Sequence, residues 1–159
     1  MKITIIAVGK IKEKYLTMGI AEFTKRLTPY CRLSVIEVEE ERMPENPSAG
    51  EKAKVLFKEG ERMLKQVKEG TYLIVLDVSG KAASSEELAH KISTLGISGK
   101  SDLTFIIGGA FGLSPELLKA AEERLSFSPM TFTHQMIRLL LVEQVYRAFK
   151  INRGEPYHW

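Results

Sequence analysis

The feature that most limits what this chain can fold into is an alternation of short apolar runs with amphipathic stretches, kept up from end to end. Ile3–Val8 predicts a strand, Glu13–Leu27 a helix and Arg32–Val38 a strand of alternating polarity. Beyond a loop holding Pro44 and Pro47, Ser48 and Glu51 stand in capping-box spacing and open a helix to about Glu69. Thr71–Asp77 is a strand with almost no polar interruption. Ser84 and Glu87 repeat the capping-box spacing and start a helix to about Leu95. Leu103–Ile107 is a second unbroken apolar strand, and it ends in Gly108-Gly109. Ser114-Pro115-Glu116 supplies a cap, a first-turn proline and an early acid for a helix predicted to reach Leu125. A short segment, Phe127–Phe132, precedes a last helix from about His134 to Ile151.

Such alternation predicts an α/β fold: a mostly parallel central sheet with helices on both faces. Leu73–Leu76 and Leu103–Ile107 lack a polar face, so they belong in the sheet centre, covered on both sides. Ligands of these sheets bind at the carboxyl ends of the strands. That rule selects Leu76-Asp77-Val78, Gly108–Gly112 and the segment around Phe127–Phe132. With 159 residues, no repeat and no Pro/Ser-rich linker, the chain reads as one domain, 1–159. A single cysteine, Cys31, rules out an intrachain disulfide and suits a reducing compartment; near a strand start it reads as core rather than nucleophile. The apolar opening stops at Gly9-Lys10, too short for a signal core or a membrane span, so a cytoplasmic location is expected.

Charge is unevenly spread around a net +3. Residues 1–32 hold seven Lys/Arg against two Glu, and residues 134–159 hold Arg138, Arg147, Lys150 and Arg153 against Glu143 and Glu155. Two basic ends form an anion-facing surface if the fold unites them, and solvated helix faces if it does not. In the last helix, Ile137, Leu139 to Val142, Val145, Tyr146, Ala148 and Phe149 leave almost no polar arc. A helix apolar nearly all round is buried on more than one side. A homodimer interface is the expected second partner, with a sandwich inside one core as the alternative.

The strongest local signal is Ile107-Gly108-Gly109-Ala110-Phe111-Gly112-Leu113-Ser114-Pro115, between a buried strand and a capped helix. Glycines there let backbone N–H groups approach a ligand, or serve only a tight turn. The spacing is G-G-x-x-G, which fits neither the dinucleotide fingerprint nor a phosphate loop. The same mismatch counts against a nicotinamide-dependent dehydrogenase. His90, His134 and His158 are far apart, with no second ligand at helical spacing, so no metal site is expected; His134 reads as a capping-region residue. The tail Arg153-Gly154-Glu155-Pro156-Tyr157-His158-Trp159 places aromatics where chain ends are usually small and polar. With Arg147 and Lys150 three apart upstream, it suits an unpaired base between cations and rings, or packing on a neighbouring subunit.

The runs IGGAFGLS, LSFSPMTFTH, RLLLVEQVYRAF and INRGEPYH, with IIAVGKIK, EFTKRL and LDVSGK earlier, resemble the RlmH group of SPOUT-class methyltransferases over the whole chain. The resemblance implies S-adenosylmethionine as methyl donor and N3 of a pseudouridine in 23S ribosomal RNA, within the helix 69 stem-loop, as acceptor. It implies a cofactor site of Leu76, Gly108, Phe127, Ser128, Pro129, Met130, Thr131 and Phe132. It implies too a trefoil knot in the C-terminal half and an obligate homodimer, although general topology rules disfavour knots. Thr133 stands where proline is common in the group, and Trp159 where a basic residue is usual. For the chemistry, His158 is the expected proton acceptor, Arg147 or Arg153 the stabiliser of charge spreading onto the base carbonyls, and Tyr157 the group that stacks or orients the base. A non-catalytic ribosome-assembly factor that binds RNA through its basic ends is the alternative of another class.

Overall fold

A computed structural model describes residues 1–158; Trp159, the aromatic terminus singled out above, lies outside them. The elements are β1 (Lys2–Val8), α1 (Lys14–Leu27), β2 (Arg32–Val38), α2 (Ala49–Leu64), β3 (Tyr72–Ala82), α3 (Ser85–Ile97), β4 (Asp102–Ile107), α4 (Pro115–Ala120), β5 (Glu123–Ser126) and α5 (Met136–Asn152). The five strands form one sheet in the order β2-β1-β4-β3-β5, every pair parallel. As the unbroken apolar runs require, β4 and β3 lie inside the sheet.

Strand periodicity sorts the core into two layers. Ile3, Ile5, Ile74, Leu103, Phe105 and Ile107 face α1, α3 and α5, together with Leu27, Ile92, Leu141 and Val145. Ile6, Val8, Leu73, Val75 and Ile106 face the other way, against Met63 of α2 and Leu117 of α4. Both capping boxes form: Ser48 with Glu51, and Ser84 with Glu87. Each satisfies two helix-start N–H groups, which is why both helices begin where the spacing places them.

Three boundaries differ from those predicted by more than two residues. Helix α2 stops at Leu64 rather than Glu69, because Gln66 and Val67 donate to carbonyls three residues back, the tighter turn that unwinds a helix end, before Gly70 turns at φ +77. Strand β3 runs past Asp77 to Ala82, shifting register against β5 between Leu76 and Lys81. The helix after Ser114 ends at Ala120, not Leu125, and residues 123–126 are strand β5 instead. Tertiary pairing decides this: the Glu122 N–H donates to the Leu73 carbonyl (3.0 Å), and the Glu122 carboxylate accepts from the Leu73 N–H (2.7 Å).

Helix α5 packs between α1 and α3 across the sheet. All residues from Ile137 to Ile151 are buried or half-buried within the single chain. The apolarity of this helix is therefore accounted for largely by the sandwich alternative, and it does not by itself require a second subunit. Cys31 is core, and burial pushes its thiol up to about 11, far from a reactive thiolate.

Candidate active site

The three strand-end segments meet in one cleft of about 270 Å³, open to solvent. Leu76, Asp77 and Val78 come from β3, Ile107 to Ala110, Gly112 and Leu113 from the loop after β4, and Ser126 to Ser128, Met130, Thr131 and Phe132 from the segment after β5. Of the eight residues expected to hold a cofactor, seven line this cleft: Leu76, Gly108, Phe127, Ser128, Met130, Thr131 and Phe132. Pro129 is exposed and outside the lining; it fixes the turn between Ser128 and Met130, which is closed by the Met130 N–H donating to the Ser128 hydroxyl at 2.9 Å.

The glycines have separate tasks. The loop folds onto itself, with the Gly112 N–H donating to the Gly109 carbonyl at 3.1 Å, and Gly112 takes φ +88, where a side chain would be strained. A Cβ on Gly108 would collide with the Gly112 carbonyl, and one on Gly109 would come within 2.7 Å of Glu59 Oε2. Glu59, on α2, is 3% exposed, and its Oε1 accepts from the Glu41 N–H at 3.0 Å. Burial raises this carboxyl above its ordinary range. The result is a cradle of bare backbone facing a mostly apolar cleft, a surface that accepts a flat heterocycle and a chain of polar groups.

Asp77 at the rim is already engaged: Arg124 donates from Nε (2.8 Å) and from a terminal nitrogen (2.5 Å) to Oδ2, and the Ser79 N–H donates to Oδ1 (3.1 Å). The opposite wall carries a residue that the sequence reading assigned no role. His134 lines the cleft beside Ile137. Its carbonyl accepts from Arg138 Nε at 3.1 Å, while the same guanidinium donates to Glu37 Oε1 at 3.0 Å and to the Val8 carbonyl. Arg138 is 1% exposed, so this fork welds the start of α5 to the ends of β1 and β2. The only sequence signal for His134 was its position directly after the segment that lines the cleft.

The expected catalytic residues lie elsewhere. None of Arg147, Arg153, Tyr157 and His158 lines the cleft. From Ile137 to Arg147 is ten helical residues, a rise of ~15 Å. At the far end Arg147 donates to Glu143 Oε1 from Nε (3.1 Å) and a terminal nitrogen (2.7 Å), and its guanidinium lies 4.8 Å from the Tyr157 ring centroid. Tyr157 donates its hydroxyl to the same Glu143 oxygen at 2.9 Å. His158 sits with Nδ1 3.2 Å from Arg147 and Nε2 2.6 Å from Glu86 Oε1. The Glu86 carboxyl is held down to about 2 by its own backbone N–H, the Ser84 hydroxyl and His158. Arg153 lies over the Tyr30 ring, and Lys150 pairs with Glu155 at 2.6 Å rather than joining Arg147. The cations and rings of the tail thus fall into two adjoining groups, Arg147 with Tyr157 and His158, and Lys150 and Arg153 with Glu155 and Tyr30, and neither is part of the cleft within one chain.

Among the described residues no group of three or more His, Cys, Asp or Glu is arranged to hold a metal ion, and no helix is long and apolar enough to cross a membrane. Residues 1–158 match the family model described as "Predicted SPOUT methyltransferase". The chain is 60% identical over 158 residues to "Ribosomal RNA large subunit methyltransferase H" of Carboxydothermus hydrogenoformans, covering 99% of both chains. It is 59% identical over 157 residues to the protein of that name from Pelotomaculum thermopropionicum, covering 99% of this chain and 98% of the other. The crystal structure of a "Probable Methyltransferase" from Bordetella pertussis superposes with a TM-score of 0.57 at 14% identity, over 92% of this chain and 95% of that one, which is a likeness of fold. A parallel sheet whose strand ends close a glycine-lined cleft, matched from one end to the other by that model and those relatives, places this chain in the SPOUT methyltransferase family.

Proposed function

We propose that the protein transfers a methyl group from S-adenosylmethionine to N3 of a pseudouridine in the helix 69 stem-loop of 23S ribosomal RNA. The observation that carries the reading is the joining of the three strand-end segments in one cleft, in a chain about 60% identical to proteins named for large-subunit ribosomal RNA methylation. When bound, the cofactor supplies an electrophilic methyl on a sulfonium. Leu76, the Gly108 backbone and the segment 127–132 would hold it, the glycines letting the loop after β4 fold back tightly on itself and on α2 so that the cleft keeps its shape. The chain's own contribution is then to place the acceptor nitrogen in line with the methyl and to accept its proton.

Arg147, Arg153, Tyr157 and His158 serve as the RNA-holding cluster, with cations for phosphate and carbonyl charge and rings for stacking. Because Arg147 stands ~15 Å along α5 from Ile137 at the cleft, and none of the four lines the cleft of its own chain, they serve the cleft of a second subunit, and the active unit is a homodimer. The trefoil knot implied by the resemblance and the cytoplasmic location expected from the short apolar opening belong to the same reading.

The test is transfer of labelled methyl from S-adenosylmethionine to ribosomal particles, with mass spectrometry locating the label in the RNA. One methyl on one pseudouridine is expected. Retained RNA binding with no label transferred would favour the non-catalytic assembly factor instead.

A further inference from the structure

Beside the cleft runs a second depression of about 530 Å³, lined by Glu13, Tyr15, Leu16, Gly109, Ala110, Phe132, Thr133, His134 and Gln135. It shares Gly109, Ala110, Phe132 and His134 with the cleft. An acceptor base has to reach a bound methyl from a neighbouring space, and this one easily holds a pyrimidine. Its rim suits a nucleotide: Tyr15 and Phe132 are 59% and 44% exposed, and Lys10, Lys12 and Lys14 are exposed along the adjoining turn and the start of α1. Aromatic faces with cations alongside are the chemistry that holds a splayed-out base and its phosphates.

Resting on the methyltransferase reading, we propose that this groove receives the target pseudouridine and that His134, on the wall between groove and cleft, is the catalytic residue that accepts the N3 proton. Among the described residues, His134 is the one titratable side chain lining both spaces. No hydrogen bond among the described residues engages its ring, whereas both ring nitrogens of His158 already face partners. Burial, then the Arg138 cation and more weakly Lys12, lower the His134 pKa, against the opposing pull of Glu40. The imidazole is consequently neutral and able to accept a proton at pH 7. In the step, the N3–H bond gives its proton to the free imidazole nitrogen. The nitrogen's electron pair forms the N–CH3 bond, the S–CH3 pair returns to sulfur as a neutral thioether, and the imidazolium then loses its proton to solvent.

The test uses single-turnover methyl transfer to a pseudouridine-containing stem-loop or ribosomal particle, measured across pH for the wild type, His134→Asn, His134→Gln and His158→Ala. In the wild type the rate rises through an acidic limb below the ordinary imidazole range of ~6.5 and then levels off. In both His134 variants the rate at pH 7 falls ~100-fold and keeps climbing about tenfold per pH unit, because only hydroxide or pre-ionised N3 remains. Calorimetric affinity for S-adenosylmethionine stays within about twofold, and His158→Ala, slower through weaker RNA holding, still levels off with pH as the wild type does. A plateau retained in the His134 variants, or lost in His158→Ala instead, overturns the assignment while leaving the methyltransferase reading standing. No transfer by the wild type sinks both. As a readout independent of turnover and of variant folding, the His134 imidazole resonances should titrate below the ordinary range and shift when the stem-loop is added. Resonances that ignore the RNA would also overturn the proposal.

Discussion

The cleft and the tail cluster draw mainly on the last third of the chain, with Leu76–Val78 added to the one and Glu86 to the other, and they are built by opposite means. The cleft is backbone: strand ends, three glycines and a turn, with side chains mostly as walls. The tail is side chains: Arg147, Glu143, Tyr157, His158 and Glu86 bonded to one another at the far end of α5. Backbone shape is set by the sheet and is complete in one chain. On the proposed reading, this cluster of mutually paired charges exchanges those partners for RNA phosphates and carbonyls. One region is thus a preformed socket and the other a set of hands, and they are separated by the length of a helix.

Substitutions can break that contrast. The largest effect is expected at the fork that fixes α5, the helix running from one region to the other, to β1 and β2. Arg138→Met leaves the Val8 and His134 carbonyls without their donor, and Glu37, about a third exposed, falls back on water. We expect a loss of about 3 kcal/mol, an order of magnitude near 10 °C in Tm by calorimetry. Arg138→Lys should recover little, since one ammonium cannot span three acceptors. A stability change below about 1 kcal/mol would show that the fork is ornamental.

Next comes the socket itself. Gly108→Ala forces a Cβ into the Gly112 carbonyl, so S-adenosylmethionine affinity should fall about 100-fold by isothermal calorimetry while RNA binding by gel shift is kept. The hands should give the reverse pattern. Arg147→Ala should lower transfer roughly tenfold or more with cofactor affinity intact; loss of cofactor binding would contradict the separation. Mixing Gly108→Ala with Arg147→Ala chains sharpens this further. If the tail acts across the dimer, one site in the mixed dimer keeps a wild-type cleft but faces the Gly108→Ala partner's intact tail, and activity returns. Mixtures as inactive as the parents would confine each tail to its own chain.

The smallest effect belongs to Glu59. Its carboxyl is raised in the folded protein, so ionisation costs stability above that raised pKa, and the cost fades as pH falls through it towards the ordinary ~4.3. Glu59→Gln keeps an acceptor for the Glu41 N–H and removes the charge. It should be more stable than the wild type by up to about 1 kcal/mol at pH 7, with the difference vanishing in acid. A variant less stable at pH 7 would mean that the ionised form is wanted beside Gly109.

The socket was legible in the sequence because it depends on local signals: apolar runs that must be central strands, and glycines at their ends. Seven of its eight expected residues line one cleft for that reason. Strand β5 was not legible, since Glu123–Ser126 carries no turn signal and its pairing to β3 overrides a plausible helical continuation. His134 was missed because a lone histidine at a helix start looks like any other until the fold sets it against Ala110 and Phe132. The tail's chemistry could be guessed from its residue types, but its distance from the cleft is a property of how α5 lies across the sheet.

The Arg138 fork also has a consequence in time. It joins the first strand to the last helix, with Val8 and Arg138 separated by 130 positions. Contacts of such long range form late, after the loops between them have been closed. During synthesis the N-terminal strand leaves the ribosome long before its anchor exists, and the His134 wall is not fixed until α5 has emerged and docked. A growing chain therefore has no finished cleft to offer, and pairing with a second subunit can only follow the docking of α5.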